Sequence, residues 1–356
     1  VSNRMNMRCR TLVFRNSDEN FEDGLAIAAD IISKGGTVAF PTETVYGLGA
    51  DALNADAVHK IFKAKGRPAD NPLIVHIANI HQCIELAEEI PADAMKLMEK
   101  FWPGPLTLIL KAKDVVPDVT TGGLYTVGLR MPDNPVALEL IRRSDTPIAA
   151  PSANTSGSPS PTTADHVIHD LDGKIDAILD GGPTQIGLES TVVDMTDKIP
   201  TILRPGQVSV EDIKECVGDV RIGYRDRTLE EGEVARSPGM KYTHYSPKTK
   251  VILIEGNIKD VHKAMTEIVS DCHREGERVG LFVTEETAKI VNADEIYSLG
   301  KREVPSQAAR SIFMGLRHLD STNIDLIIVD GTLNKEGIGA AVFNRLRKAA
   351  DRIINA

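Results

Sequence analysis

Thr37-Val-Ala-Phe-Pro-Thr-Glu-Thr-Val-Tyr-Gly-Leu-Gly-Ala50 is the segment from which the fold reads outward. Thr37–Phe40 is a short apolar run of strand type, and Pro41, which has no amide to donate, ends it. The residues after it carry hydroxyls, one carboxylate and two glycines. Glycines let a backbone approach a ligand closely. Ordinary strand-to-helix turn chemistry accounts for the segment equally well.

On the N-terminal side, Thr11–Arg15 reads as a strand. Asn20–Lys34 reads as a helix with Phe21, Leu25, Ala28, Ala29 and Ile32 on one face, stopped by Gly35-Gly36. On the C-terminal side, Asn54 caps a helix running to Lys65, Leu73–Ile77 is a strand, and Asn79 and Pro91 open two more helices. Strands follow at Leu106–Lys111, Thr126–Arg130, Ile148–Ala150, Ala177–Asp180, Thr191–Asp194 and Thr201–Leu203, with a helix at Asp133–Arg143. This is an α/β or α+β domain over residues 11–217. Periodicity fades over 218–249, which reads as a linker. Its segment Ser237-Pro-Gly-Met-Lys-Tyr-Thr-His-Tyr-Ser-Pro247 is richer in functional side chains than a spacer needs. Strands then alternate with long helices from 250 to 356, the pattern of a smaller Rossmann-like parallel sheet.

The 356-residue length agrees with two domains, since single cores stop growing at about 250–300 residues. A net charge of -10 and 4% aromatic residues argue against a general nucleic-acid coat protein. The four cysteines, Cys9, Cys83, Cys216 and Cys272, include no C-x-x-C pair, so they read as reduced thiols, not zinc ligands. No apolar run reaches the ~18–20 residues of a membrane span, and the first ten residues lack the apolar core of a secretory signal. A cytoplasmic setting is the expectation.

Beyond the opening segment, two more carry chemistry. Lys60, Lys63, Lys65 and Arg67 crowd the end of one helix. They suit polyphosphate, lysine as a point charge and arginine as a fork, or else simply complement the helix dipole. Ala149-Ala-Pro-Ser-Ala-Asn-Thr-Ser-Gly-Ser-Pro-Ser-Pro161 offers short hydroxyl and amide side chains just beyond a strand, where α/β folds bind ligands. His76 alternates with Val75 and Ile77 and reads equally as a structural histidine. Trp102 reads as core. Walker A, H-E-x-x-H and G-x-S-x-G motifs are absent, and Gly337-Ile-Gly339 reads as a helix start.

Together, Pro41-Thr-Glu-Thr-Val-Tyr-Gly-Leu48, Lys65-Gly-Arg-Pro68, Asn71-Pro-Leu73, Phe101-Trp-Pro-Gly-Pro-Leu-Thr107, Gly128-Leu-Arg-Met-Pro132, Pro151-Ser-Ala-Asn-Thr-Ser-Gly157 and Leu188-Glu-Ser-Thr191 resemble the YrdC-like threonylcarbamoyl-AMP synthases, in that family's order. The linker and the second domain resemble its two-domain form. The resemblance implies a twisted mixed sheet with a large concave basic cleft, plus the Rossmann-like domain. It implies synthesis of threonylcarbamoyl-AMP from L-threonine, bicarbonate and ATP, the first step of a tRNA modification. It further implies that Lys65, Arg67, Ser152 and Asn154 form the core catalytic, phosphate-binding set. Asn71, Thr126, Ser160 and Arg204 would be further ATP contacts. Thr44, His76, Arg130, Ala150 and Ser190 would form the threonine pocket. The linker would be a lid, with Tyr242, His244 and Tyr245 touching ATP. Mg2+ would arrive with ATP, held by the ligand and not by a protein metal site. A tRNA threonylcarbamoyl transferase would be the downstream partner, and direct contact with tRNA or double-stranded RNA is left open.

Two other readings compete. One is an RNA-binding module without chemistry, marked by salt-dependent RNA binding and no ATP turnover. The other is a carbamoyl-transfer enzyme of hydrogenase maturation on the same fold, which would normally bring zinc-finger C-x-x-C pairs.

Overall fold

The computed structural model describes residues 10–224, 235–236 and 244–356. Its larger sheet contains β1 (Leu12–Arg15), β2 (Val38–Phe40), β3 (Gly47–Asp51), β4 (Ile74–His76), β5 (Leu106–Lys111), β6 (Thr126–Arg130), β7 (Ile148–Ala149), β8 (Ala177–Asp180), β9 (Thr191–Asp194), β10 (Thr201–Arg204) and β11 (Arg221–Ile222). Its helices are α1 (Phe21–Ser33), α2 (Ala55–Lys65), α3 (Ile80–Leu86), α4 (Ala92–Phe101), α5 (Asp118–Thr121), α6 (Pro135–Ser144), α7 (Ala164–Leu171) and α8 (Val210–Val217). The strand order is β1-β8-β2-β3-β7-β4-β6-β5-β9-β10-β11, with parallel and antiparallel pairs mixed. The second sheet is parallel throughout, ordered β14 (Glu295–Ser298), β13 (Val279–Val283), β15 (Leu326–Asp330), β12 (Lys250–Glu255), β16 (Arg352–Asn355). Its helices are α9 (Ile258–Glu275), α10 (Pro305–Ser321) and α11 (Ile338–Ala349).

Side-chain alternation divides the large sheet into a packed face and a working face. Val75, Val127 and Leu129 enter the core beneath α2, α3 and α4. Ile74, His76, Gly128 and Arg130 alternate with them, and in register His76 pairs with Arg130 on the adjacent strand. Helices α1 and α6 cover one end of this second face, around Phe40, Ile148 and Leu179. Beyond them, among the described residues, it carries the small cluster Ile109, Val192 and Leu203 and forms the floor of a cleft. The helix starts follow the sequence: Asn54, Asn79, Asn134 and Asn257 each accept a hydrogen bond from a first-turn amide.

The second domain docks through α10 and α11. Phe313, Leu316, Val342 and Phe343 join Val45, Leu188 and Tyr245 in one core cluster. Arg317 of α10 forks onto Asp170 at 3.0 and 2.8 Å. Arg345 of α11, fully buried, reaches Glu189 at 3.0 Å. Gly187 (φ +82°) lets the chain pass α10, because a Cβ there would stand 2.4 Å from the Ala309 carbonyl oxygen.

Four features differ from the sequence reading. Gly47–Asp51 is a strand, not loop: it pairs with β2 and β7 and is buried on both faces, so no alternation marks it in the sequence. Helices α7 and α8 are single-sided and short, and β16 is an edge strand with mostly exposed side chains. Arg221–Ile222, inside the segment read as linker, forms an edge strand beside β10. Among the described residues, no helix is long and apolar enough to cross a membrane.

Candidate active site

The cleft is assembled at the end of α2. Gly66 takes the left-handed conformation (φ +64°) and ends the helix directly after Lys65. Lys65 turns inward, 3% exposed, and its Nζ donates to the carbonyls of Ser152 and Asn154 at 2.5 and 2.6 Å. Burial, and then the neighbouring Arg67, hold the Lys65 amine well below its usual range. Arg67 lies near the Phe62 ring, with its guanidinium 3.4 Å from the Asn71 and Pro72 carbonyls. Lys60, by contrast, bonds the Gly35 carbonyl, and Lys63 is exposed. The basic cluster therefore splits into two site residues and two structural or solvated ones.

The loop after β7 faces these cations. Asn154 Nδ2 donates to the carbonyls of Thr155 and Ser158, while its Oδ1 lacks a partner. Ser160 donates to Glu189 Oε1 at 2.6 Å. Burial alone would raise the Glu189 carboxyl, but Arg345, Arg204 and the Ser160 hydroxyl together hold it below the usual range. Arg204 donates to the Ser190 carbonyl and hydroxyl at 3.0 and 3.1 Å, and burial lowers its pKa to about 10.

The other end of the cleft is built around Arg130. Its Nη1 donates to Thr44 Oγ1 at 3.0 Å, its Nε to the Gly104 carbonyl, and its Nη2 stands 2.7 Å from Glu43 Oε1. Beside it His76 packs edge-to-face on Phe40, ring centroids 6.0 Å apart. Its Nδ1 has no hydrogen-bond partner. Burial, then Arg130, push the His76 imidazole down to about 3, so the ring is neutral. Thr44, Ala150 and Ser190 complete this end.

The linker enters from above. Tyr245, with φ +67°, stacks on Phe313 at 5.2 Å, and Ser246 N–H donates to the Gly157 carbonyl. His244 lines the cleft, and burial and Arg67 push it down to about 3. Farther back, Arg236 pairs with the buried Asp194.

One cleft thus gathers Lys65, Arg67, Ser152, Asn154, Ser160, Arg204, His244, Tyr245, Thr44, His76, Arg130, Ala150 and Ser190. Thr126 lines a small adjoining recess with Gly128 and Arg236. Asn71 lines neither, yet it is fully buried and both side-chain amide atoms lack partners. Tyr242 lies outside the described residues. Trp102 is half-buried against the core, with Nε1 donating to the Leu106 carbonyl, as a packing residue does. Sequence reasoning missed Glu43, Glu189 and the arginines of α10 and α11. Glu43 and Glu189 stood inside quoted segments, but only their ion pairs mark them.

Comparison with known proteins agrees with this geometry. A Sua5–YciO–YrdC family model, described as telomere recombination, matches residues 30–206. A model described as the threonylcarbamoyl-AMP synthase C-terminal domain matches residues 208–351. A Pyrococcus abyssi protein named threonylcarbamoyl-AMP synthase is 48% identical over 96% of this chain and 98% of its own length. A Bacillus subtilis protein of the same name is 49% identical over 92% of each. The crystal structure of P. abyssi Sua5 complexed with L-threonine superposes with a TM-score of 0.89 at 48% identity, covering 97% of this chain and 99% of that one. Fold, cleft and similarity over nearly the whole length lead to one conclusion: the chain belongs to the Sua5–YciO–YrdC family, in the form that carries the additional Sua5-type C-terminal domain.

Proposed function

We propose that this chain is a threonylcarbamoyl-AMP synthase, joining L-threonine, bicarbonate and ATP into threonylcarbamoyl-AMP and pyrophosphate. The observation that carries the reading is one cleft with a polyphosphate end and an amino-acid end. Lys65, Arg67 and the 152–160 loop make the first, and Arg130, Thr44 and His76 the second. Relatives that match 96% and 92% of this chain bear the name of this activity.

The chemistry asked of the residues is modest. The carbamate of threonine is already an anion, so its oxygen attacks the α-phosphorus without a strong base as the bond to pyrophosphate breaks. The protein must position both ends and neutralise charge. Lys65, Arg67, Asn154 and Ser152 would hold the phosphates, with Ser160, Arg204, Asn71 and Thr126 as further ATP contacts. Arg130 has donors left beyond Glu43, Thr44 and Gly104, and suits the threonine carboxylate by paired hydrogen bonds. Ala150 and Ser190 would border the threonine side chain. Residues 218–249 would act as a lid, closed through His244 and Tyr245.

Mg2+ would enter with ATP and supply charge neutralisation at the phosphates. The residues present fit an ion carried by the nucleotide. Glu43 and Glu189 are each committed to an arginine, leaving the hydroxyls of Ser152, Ser156 and Ser158 as neutral oxygen donors. The product would pass to a tRNA-modifying transferase, in a cytoplasmic setting.

Labelled bicarbonate tests the reading. With L-threonine and MgATP, label should enter a product that migrates with an AMP moiety. L-Serine in place of threonine should give far less. Salt-dependent RNA binding with no labelled product would return the case to the RNA-binding module.

A further inference from the structure

We propose that His76 is the group that takes the proton from the threonine amine as the carbamate forms. This rests on the synthase reading above and adds a role that the phosphate end of the cleft cannot fill.

The argument begins with strand register. His76 and Arg130 are paired neighbours on parallel strands β4 and β6, and their side chains stand side by side on the same face. If Arg130 holds the α-carboxylate, the amine, one carbon away, lies within reach of the adjacent strand. The side chain waiting there is His76, buried, lining the cleft, with a ring nitrogen that has no partner. Phe40 from β2 holds the ring edge-on, and Ile148 of β7 is its other strand neighbour. Neither brings charge. The charges facing this end are Arg130 and, paired to it, Glu43. Lys65, Arg67 and His244 belong to the other end, where the Lys65 amine already donates to the Ser152 and Asn154 carbonyls. Glu189 is held by Arg345 and Ser160, and Glu43, ion-paired to Arg130, does not line the cleft. His76 is thus the neutral acceptor beside the carboxylate anchor.

The protons balance. Threonine ammonium and bicarbonate give carbamate, water and one proton. The nitrogen loses two protons as the C–N bond forms. One leaves in water with the departing bicarbonate oxygen, and His76 takes the other. Within the protein itself, burial and Arg130 push His76 down to about 3; the threonine carboxylate on Arg130 and the bicarbonate beside the ring oppose that shift, and they let the ring carry the proton on its way to solvent. The same desolvation opposes charge on the ammonium and eases its deprotonation.

The test uses His76→Asn and His76→Gln in the full chain. Three quantities are read: threonine-dependent pyrophosphate release, L-threonine affinity by calorimetry, and the pH profile. General-base loss predicts kcat down about 100-fold or more, with affinity changed less than about threefold. The residual rate should climb with pH as free threonine amine becomes available. A kcat within about threefold of wild type with an unchanged profile overturns the assignment. So does a loss of affinity that matches the loss of rate, which would make His76 a binding residue only. If wild-type protein shows no threonine-dependent release, the synthase reading fails and takes this one with it. Should both variants unfold, wild-type protein with 15N-labelled histidine decides. L-Threonine should shift one imidazole resonance that 2,3-dihydroxybutanoate, in which hydroxyl replaces the amine, leaves in place. Equal effects of the two ligands overturn the proposal.

Discussion

Lys65 and Arg67 sit on either side of one left-handed glycine, and that turn sets both on the cleft, with Lys65 against the Ser152 and Asn154 carbonyls. Removing one should cost a charge-assisted contact and leave the fold alone. Arg67→Ala is expected to lose about 1.5–3 kcal/mol of transition-state stabilisation, a 10- to 100-fold fall in kcat/KM. Steady-state kinetics with MgATP checks it, and activity within about twofold of wild type counts against the phosphate role. A second residue-scale expectation concerns acid. His76 and His244 are pushed down to about 3 and His166 to about 4, against about 6.5 unfolded. The unfolded chain then binds protons that the folded one refuses. Stability is therefore lost as pH falls from about 6.5 toward 4, by up to about 1.4 kcal/mol per unit for each histidine. Melting between pH 7.5 and 5 should show it, and His76→Asn should flatten the slope; a pH-independent Tm would refute it. Most of these residues were legible because they stand in short ordered segments. The Arg345–Glu189 pair was not, because its partners lie 156 residues apart and leave no local pattern.

The elements that sequence reading recovered share strong local signals, an asparagine cap or a clean apolar period, as α2, α6 and α9 do. Three that it missed lack them: β3 is buried on both faces, and β11 and β16 are short with exposed side chains; α7 and α8 were missed in spite of their Thr163 and Ser209 caps. The connection between β8 and β9 shows how a loop can carry fold information that its composition hides. Gly187 donates its N–H to the Thr44 carbonyl at 3.1 Å on one side and touches α10 on the other. Gly187→Ala combines a disfavoured φ with a backbone clash at Ala309. It should lower stability by about 1–3 kcal/mol, several degrees in thermal unfolding. An unchanged Tm would mean that the contact between this loop and α10 gives way easily.

Across the whole molecule, the second domain is part of the site's support. Arg317 donates to the Pro159 carbonyl and to Asp170, whose Oδ2 accepts from the Thr155 amide. Arg345 holds Glu189, which holds Ser160. Both arginines thus reach the 152–160 loop from outside. That the chain has two domains was readable from length and from the change of pattern near residue 250. How they dock was not, because the interface residues of α10 and α11 look like ordinary helix core. The central claim concerns one cleft with two ends that must be filled together. The most direct test is pyrophosphate release from MgATP with bicarbonate and L-threonine, each omitted in turn, and with L-serine as substitute. The account predicts release that requires both and falls sharply with serine. Release indifferent to threonine, or none from folded protein, would contradict it.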